Sequence, residues 1–575
     1  MNESPEARPK SDEHQEALMR RYLDPLVHGR LDSRIAWALL GAGMLVSLFY
    51  CLWVTRGTTF SGDELTWVAL SPSMDFSQAL EPHSGHLVLI PHLLYKLVLE
   101  TIGTDYLTFR LLTLLSVYLA TGLFFAYARK RVGDFVALAP CLVLLFFGSD
   151  SGHILQGNGF TIMFAVACGM AALLGLERKS LAGNVIACVA LVLGVLTYTT
   201  ALPFLVGAIA VVLFGGDRWK RLWVVAVPVG VYLAWRVWLI TGDVDTTRGE
   251  LDPVNIFLLP AWIFQSLSGI LSALTGFNYN FGGGGWLPPG EMAGPSLALI
   301  FIALIGWRMS KVRLGSWFWV AMIIALSLFA SQVLTFIPAV REPGTSRYLY
   351  PGAFAVLLIL LEAFRAYPMN RTRFIVIWLI AISGFATNTI FIKGSGNTLR
   401  DRGNEVAAEV TASTLVSSAF PYLPGPSAKP VTELVSDAPT AIIGGAEERY
   451  GGIGLSEDEL LAQPPELRAK ADSILVQAFG LGLTGFEGAR PASCERVTAT
   501  ADGTITGLEL APGGVVLESK AAGNVFLKRF DPEFSTKVGT LMPNQELALY
   551  IPPDDGSTPW QLMAEVPSLT VCDLE

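Results

Sequence analysis

Residues Ser61 to Trp67 set two carboxylates, Asp63 and Glu64, side by side just beyond a long apolar run. A carboxylate partly stripped of water at a membrane surface becomes a stronger base, able to take the proton of a hydroxyl nucleophile. The same two acids are candidate ligands for a divalent cation such as Mg, Mn or Ca. The plain alternative is a solvated loop whose acids favour a helix N-terminus. His83 and His86 follow in Glu81-Pro82-His83-Ser84-Gly85-His86 and are candidates for holding a substrate. A second group, Arg341-Glu342-Pro343-Gly344-Thr345-Ser346-Arg347-Tyr348, opens another apolar run. An arginine fork grips a phosphate bidentately, so Arg347, then Arg341, is the choice for an anionic headgroup, with Tyr348 as a further donor. Simple anchoring of Arg and Tyr at the membrane edge is the competing account. A third polar stretch holds Asp150, His153, Gln156 and Asn158 between two apolar runs and is expected to line the same cavity unless it is only a hydrophilic turn. Asp243, Asp245 and Arg248 are weaker candidates.

The elements that must carry these groups are membrane helices. The chain has 575 residues, 52% hydrophobic and 15% charged, where a soluble protein carries about 25% charge. Mean hydropathy is +0.49, and the apolar residues come in runs of spanning length from Arg34 to Lys393. Expected spans are Ile35–Val54, Tyr106–Tyr127, Phe135 to Gly148, Phe160–Leu176, two within Asn184–Phe214, Leu222–Ile240, Ser296–Trp307, Ser316–Ile337, Tyr350–Phe364 and Phe374–Ile392. Arg129-Lys130-Arg131, Arg178-Lys179, Arg218 to Arg221, Arg308 to Arg313 and Arg365 to Arg373 make every second loop basic. About eleven spans with the N-terminus cytoplasmic and the C-terminus outside satisfy the positive-inside rule. Pro253 to Gly276 is apolar enough to cross, but crossing would strand Arg308, Lys311 and Arg313 outside, so it reads as re-entrant or interfacial. Gly282–Gly285 lacks a strand–helix setting and reads as loop. Residues 1–33, with Arg20-Arg21, form a cytoplasmic tail without the apolar core of a signal peptide.

Beyond the spans the composition changes. Residues 394–490 read as a helical or mixed linker region, with a polar helix over Asn397–Leu415 and a Pro/Gly/Ser-rich stretch over Pro421–Pro430. From 491 to 575, Val497–Thr500, Thr504–Leu510, Val515–Glu518, Val525–Phe530, Leu547–Ile551, Trp560–Val566 and Ser568–Cys572 are β-prone and separated by turns. They imply an extracytoplasmic β-sandwich, an architecture that often binds carbohydrate. Cys494 and Cys572 bracket it and are expected to form a disulfide, whereas Cys51, Cys141, Cys168 and Cys188 lie in apolar runs and behave as small hydrophobes. The net charge of −9 is unevenly spread, and no basic face with interleaved aromatics suggests nucleic acid as a partner.

A short tail, one span, an outer loop with an acidic pair, many spans and an outer C-terminal domain together resemble the GT-C superfamily of membrane glycosyltransferases. Asp63-Glu64 is similar to that family's acidic motif, which supplies the catalytic base, and Gly85-His86 followed by Pro91 is similar to its Gly-His-Pro loop. Arg110 stands where many members carry an arginine. The resemblance covers residues 34 to about 393. It implies a polyprenyl-phosphate sugar as donor, a cell-envelope glycan or lipid as acceptor, a bacterial plasma-membrane location and inversion at the anomeric carbon. Arg347, Tyr348, Arg341 and Arg110 would then meet the donor phosphate, and His83, His86, Asp150, His153 and Gln156 the substrate. The competing classes are a transporter or flippase of a lipid-linked glycan and a non-catalytic envelope assembly protein. The absence of an evident internal repeat and the gathering of polar candidates on one face speak against the transporter.

Overall fold

The structure, a computed structural model, describes residues 33–242, 244, 251–277, 288–338, 341–419, 440–488 and 493–574. The N-terminal tail, Asp243, Asp245 and Arg248, the Gly282–Gly285 run and the Pro421–Pro430 stretch lie outside the described residues. The chain divides into two units that alternate along the sequence. One takes Met1–Thr55, Phe76–Pro91 and Phe109–Asn397; the other takes Arg56–Asp75, His92–Thr108 and Thr398–Glu575.

In chain order the helices begin with α1 (Ser33–Val54), α2 (Asp63–Leu70), α3 (Phe76–Ala79), α4 (Leu89–Thr101), α5 (Tyr106–Val132) and α6 (Asp134–Leu145). Next come α7 (Gly152–Leu155), α8 (Phe160–Glu177), α9 (Leu181–Thr197), α10 (Ala201–Phe214), α11 (Arg218–Arg221) and α12 (Trp223–Thr241). The series ends with α13 (Leu259–Thr275), α14 (Pro288–Lys311), α15 (Ser316–Leu334), α16 (Leu349–Ala363), α17 (Arg371–Ala419), α18 (Thr440–Tyr450), α19 (Glu457–Leu461) and α20 (Pro465–Ala478).

Among the described residues, nine helical stretches are long and apolar enough to cross a membrane, and α9 and α10 are shorter apolar helices. The chain is a multi-pass membrane protein. Three expected spans come out short. The 12 residues of α6 rise only about 18 Å against a hydrocarbon core of about 30 Å. The run over Asn184–Phe214 breaks at Tyr198, whose extended backbone (φ −166°, ψ 151°) ends α9 before the chain turns into α10.

Side chains tie the basic helix ends together. Lys130 bonds Glu177 at 3.0 Å, and Arg131 meets Glu177 at 3.2 Å and also pairs with Glu362. Arg308 donates to the Ala363 carbonyl, and Arg221 to the Leu176 carbonyl. The alternate loops that read as basic therefore meet at one end of the helical unit.

The segment Pro253–Thr275 has the length and apolarity of a span. Its neighbours are nevertheless the opposite, non-basic helix ends. Asp252 N–H donates to the Leu334 carbonyl at the end of α15, and Trp262 to Gln332 one turn earlier. Ile270 fills the space beside Gly352 in the first turn of α16, and Ser268 and Ser272 lie against Gly294 early in α14. Gly276, at φ +82°, closes onto Ser383. Its C-terminal end also meets the long helix α17 within its length, where Leu274 lies against Gly384.

The second unit joins a β-sandwich to helices. Its strands are β1 (Thr484–Gly485), β2 (Cys494–Thr498), β3 (Ile505–Leu510), β4 (Gly513–Glu518), β5 (Gly523–Lys528), β6 (Thr536–Leu541), β7 (Glu546–Ile551), β8 (Trp560–Ala564) and β9 (Ser568–Leu574). They form two antiparallel sheets, β1-β7-β4-β9-β2 and β3-β8-β5-β6. Val515, Leu517, Leu547 and Leu549 of one sheet bury against Val525, Leu527 and Leu562 of the other. The Cys494–Cys572 disulfide joins β2 to β9 at directly paired positions. Two strands escape the sequence pattern: β1 has only two residues, and β6 mixes Lys537 and Gly539 into its run.

Described residues of the expected linker region carry part of a hydrophobic core. Ala408, Val416, Leu460, Leu475 and Phe479 belong to the same hydrophobic core as the sandwich. The expected last span and polar helix are likewise one 49-residue helix, α17.

Candidate active site

Within the second unit, Asp63 and Glu64 begin α2, where the N-terminal peptide dipoles favour negative charge. Adjacent helical residues point about 100° apart, and the structure divides the pair accordingly. Asp63 is exposed and Glu64 fully buried. Glu64 accepts hydrogen bonds from the Tyr106 hydroxyl at 2.8 Å and the Tyr95 hydroxyl at 3.4 Å, one on each oxygen. Burial, and then the charge of Glu64, hold the Tyr95 phenol well above its usual range, so it stays protonated and donates. Trp67 packs edge-on to Tyr95 at 5.0 Å and to His92 at 5.7 Å, fixing the rest of the helix. The helix also packs against α18. There Tyr450 and Arg449 bond Glu100 of α4 at 3.0 and 3.1 Å, and Tyr450 reaches the Ser71 hydroxyl at 3.5 Å.

This division bears on the expected cation. The carboxylates diverge, and both Glu64 oxygens are engaged by phenols. Among the described residues, no three His, Cys, Asp or Glu side chains gather as a metal site. Asp63 is left as the exposed carboxylate of the pair.

Within the first unit, His83 and His86 face each other across a two-residue hairpin, with backbone hydrogen bonds of 3.1 and 2.9 Å. Ser84 (φ 50°) and Gly85 (φ 83°) both take the left-handed conformation that such tight turns need. The His86 ring is held by the Thr199 hydroxyl, 2.7 Å from Nδ1, and lies against Tyr198 at 4.4 Å. Arg341 donates to the Ser84 carbonyl at 3.5 Å, so the second arginine of the phosphate group meets the histidine hairpin.

Arg347 and Tyr348 occupy a 3₁₀ turn, Ser346–Tyr348, immediately before α16. The Arg347 guanidinium lies over the Tyr348 ring at 5.3 Å, and Tyr348 lies against Trp262 of α13 at 6.4 Å. Both side chains are half-buried at the non-basic helix ends. Asp150 is buried and accepts from His153 Nδ1 at 2.7 Å and from the Tyr350 backbone N–H at 3.4 Å. Gln156 ends α7, and its carbonyl accepts from Thr113 at 2.9 Å.

Arg110 stands apart. Its guanidinium is buried against α1, donating to the Thr55 hydroxyl and to the Cys51 carbonyl at 3.4 Å. An arginine spent on helix packing is not presented to a phosphate. Tyr95, Tyr106, Thr199 and Trp262 were not legible as site residues. The nearest signal was the Tyr198-Thr199-Thr200 interruption of an apolar run.

No protein-family model matches the chain, and no curated protein matches it. Among solved structures, the chain is similar to the crystal structure of ArnT from Cupriavidus metallidurans in the apo state. The two are 14% identical over 75% of this chain and 91% of that one, with a TM-score of 0.45.

Proposed function

We propose that the chain is an inverting glycosyltransferase that moves a sugar from a polyprenyl-phosphate donor to a cell-envelope glycan or lipid at the outer face of the plasma membrane. The observation that carries this reading is the division of the acidic pair: Glu64 is buried as an anchor and Asp63 exposed at a helix N-terminus. In this reading Asp63 takes the proton of the acceptor hydroxyl as its oxygen attacks the anomeric carbon. The donor phosphate leaves from the opposite side of that carbon, which inverts its configuration. Arg347 and Arg341 stabilise the developing phosphate charge, with Tyr348 as a further donor. His83, His86 and Gln156 bind sugar hydroxyls. The N-terminus is cytoplasmic, and the sandwich lies outside, where it binds the acceptor glycan.

The test is sugar transfer from polyprenyl-phosphate sugars by the purified full-length protein and its Asp63→Asn and Glu64→Gln variants. Asp63→Asn is expected to lower turnover by at least about 100-fold. Transfer at the wild-type rate by both variants would sink the assignment.

A further inference from the structure

His153 lies in α7, a single helical turn between two 3₁₀ turns, Gly148–Asp150 and Gly157–Gly159. Its ring is oriented by Asp150, whose Oδ2 is 2.7 Å from His153 Nδ1. That same oxygen accepts the Tyr350 N–H in the first turn of α16, where an unpaired backbone donor and the helix dipole both favour a carboxylate. Asp150 thus engages the Nδ1 side of the ring. Among the described residues, His153 Nε2 makes no hydrogen bond. The His153 side chain keeps 13% of its exposure while Asp150 keeps 1%.

Placement supplies the second observation. Both α7 and the Gly148–Asp150 turn have backbone positions within 8 Å of the Ser346–Tyr348 turn that carries Arg347. The charged or titratable groups on the elements packed against α7 are Asp150, Arg347 and Tyr348, with Cys168 and Glu177 further along α8; Tyr350 joins them through its N–H bond to Asp150. An imidazole held at Nδ1, with its second nitrogen unbonded and close in the fold to the turn that carries Arg347, is arranged to exchange a proton with a phosphate bound there.

We propose that His153 is a catalytic acid for the leaving group and that Asp150 is its positioning residue. This rests on the polyprenyl-phosphate transferase reading above. The bond from the anomeric carbon to the phosphate oxygen breaks, and its electron pair stays on that oxygen. The imidazolium of His153 gives its Nε2 proton to the same oxygen. The acceptor oxygen bonds the anomeric carbon, its proton passes to Asp63, and both groups re-equilibrate with water.

The experiment uses the full-length protein in lipid nanodiscs, with undecaprenyl monophosphate as the probe for binding and polyprenyl-phosphate sugars for turnover. His153→Ala is expected to weaken probe binding about tenfold. It should lower kcat about 100-fold with little change in KM, and added imidazole should restore part of the rate. His153→Gln keeps the volume and guards against misfolding; it should show the same loss. Asp150→Asn should depress kcat while retaining binding. Probe binding and kcat that ignore His153 overturn the inference. Absence of any transfer by the wild-type protein instead overturns the transferase reading on which it rests.

Discussion

At the residue scale, the decisive contrast is between neighbours. Asp63 and Glu64 are chemically alike, yet one is exposed and the other accepts two phenol hydrogen bonds in a buried site. Their variants should separate by assay. Asp63→Asn is expected to abolish transfer while leaving unfolding within about 0.5 kcal/mol of wild type, as for an exposed position. Tyr106→Phe removes the 2.8 Å bond to a buried carboxylate and should lower stability by about 2 kcal/mol, read by thermal or denaturant unfolding. Asp472, in α20, offers a third test. Burial raises its carboxyl to about 6, against the pull of the Arg529, Phe530 and Asp531 N–H groups that it accepts. A raised folded-state value favours the protonated form. Its contribution is therefore fully present below its ordinary 3.8 and is lost as pH rises through about 6. Unfolding of the second unit, followed through Trp560 fluorescence, should show that slope. Asp472→Ala should lack it and cost about 3 kcal/mol or more, because three buried donors lose their acceptor. The candidate chemistry at Asp63, Arg347 and Asp150 was legible because charge beside an apolar run is costly and so conspicuous. The phenols around Glu64 were not legible, since tyrosines near a membrane edge are ordinary and only the fold turns them inward.

At the element scale, close backbone approach decides where helices sit. A Cβ on Gly384 would lie 2.2 Å from the Leu274 carbonyl, whereas one on Gly41 would meet nothing within 4 Å. Gly384→Ala should therefore destabilise the detergent-solubilised protein by about 1–3 kcal/mol, with Gly41→Ala close to neutral. Spans were readable from length and apolarity because lipid demands both. The same criteria count Pro253–Thr275 as a span, while its contacts with Leu334, Gly352 and Gly294 follow one set of helix ends. The unbroken α17 was missed because polar residues after Lys393 end an apolar run without ending a helix.

At the scale of the whole molecule, the second unit combines two pieces of the stretch between α1 and α5 with the chain from Thr398 onward. The sandwich was legible from β-branched runs between turns, and the disulfide from the placement of two cysteines. The shared core with Leu460 and Phe479 was not, since helices of modest apolarity reveal their burial only against a partner. The disulfide closes 78 residues of chain, so Cys494→Ser together with Cys572→Ser should reduce the stability of this unit by about 4 kcal/mol. A denaturant series on oxidised and reduced protein measures it.

The packing of α2 against α18 also sets a timetable for biosynthesis. Leu70 ends α2 and Thr440 begins α18, so the ribosome must add a further 370 residues (440 − 70) before the first helix can meet its partner. At about 5–20 residues per second, that wait is roughly 20–70 seconds. Through it, α2 has no α18 to pack against. A chain arrested before Thr440 should expose α2 to protease and chaperone, and the helix that carries the acid would be fully packed only after the 440th of 575 residues has been made.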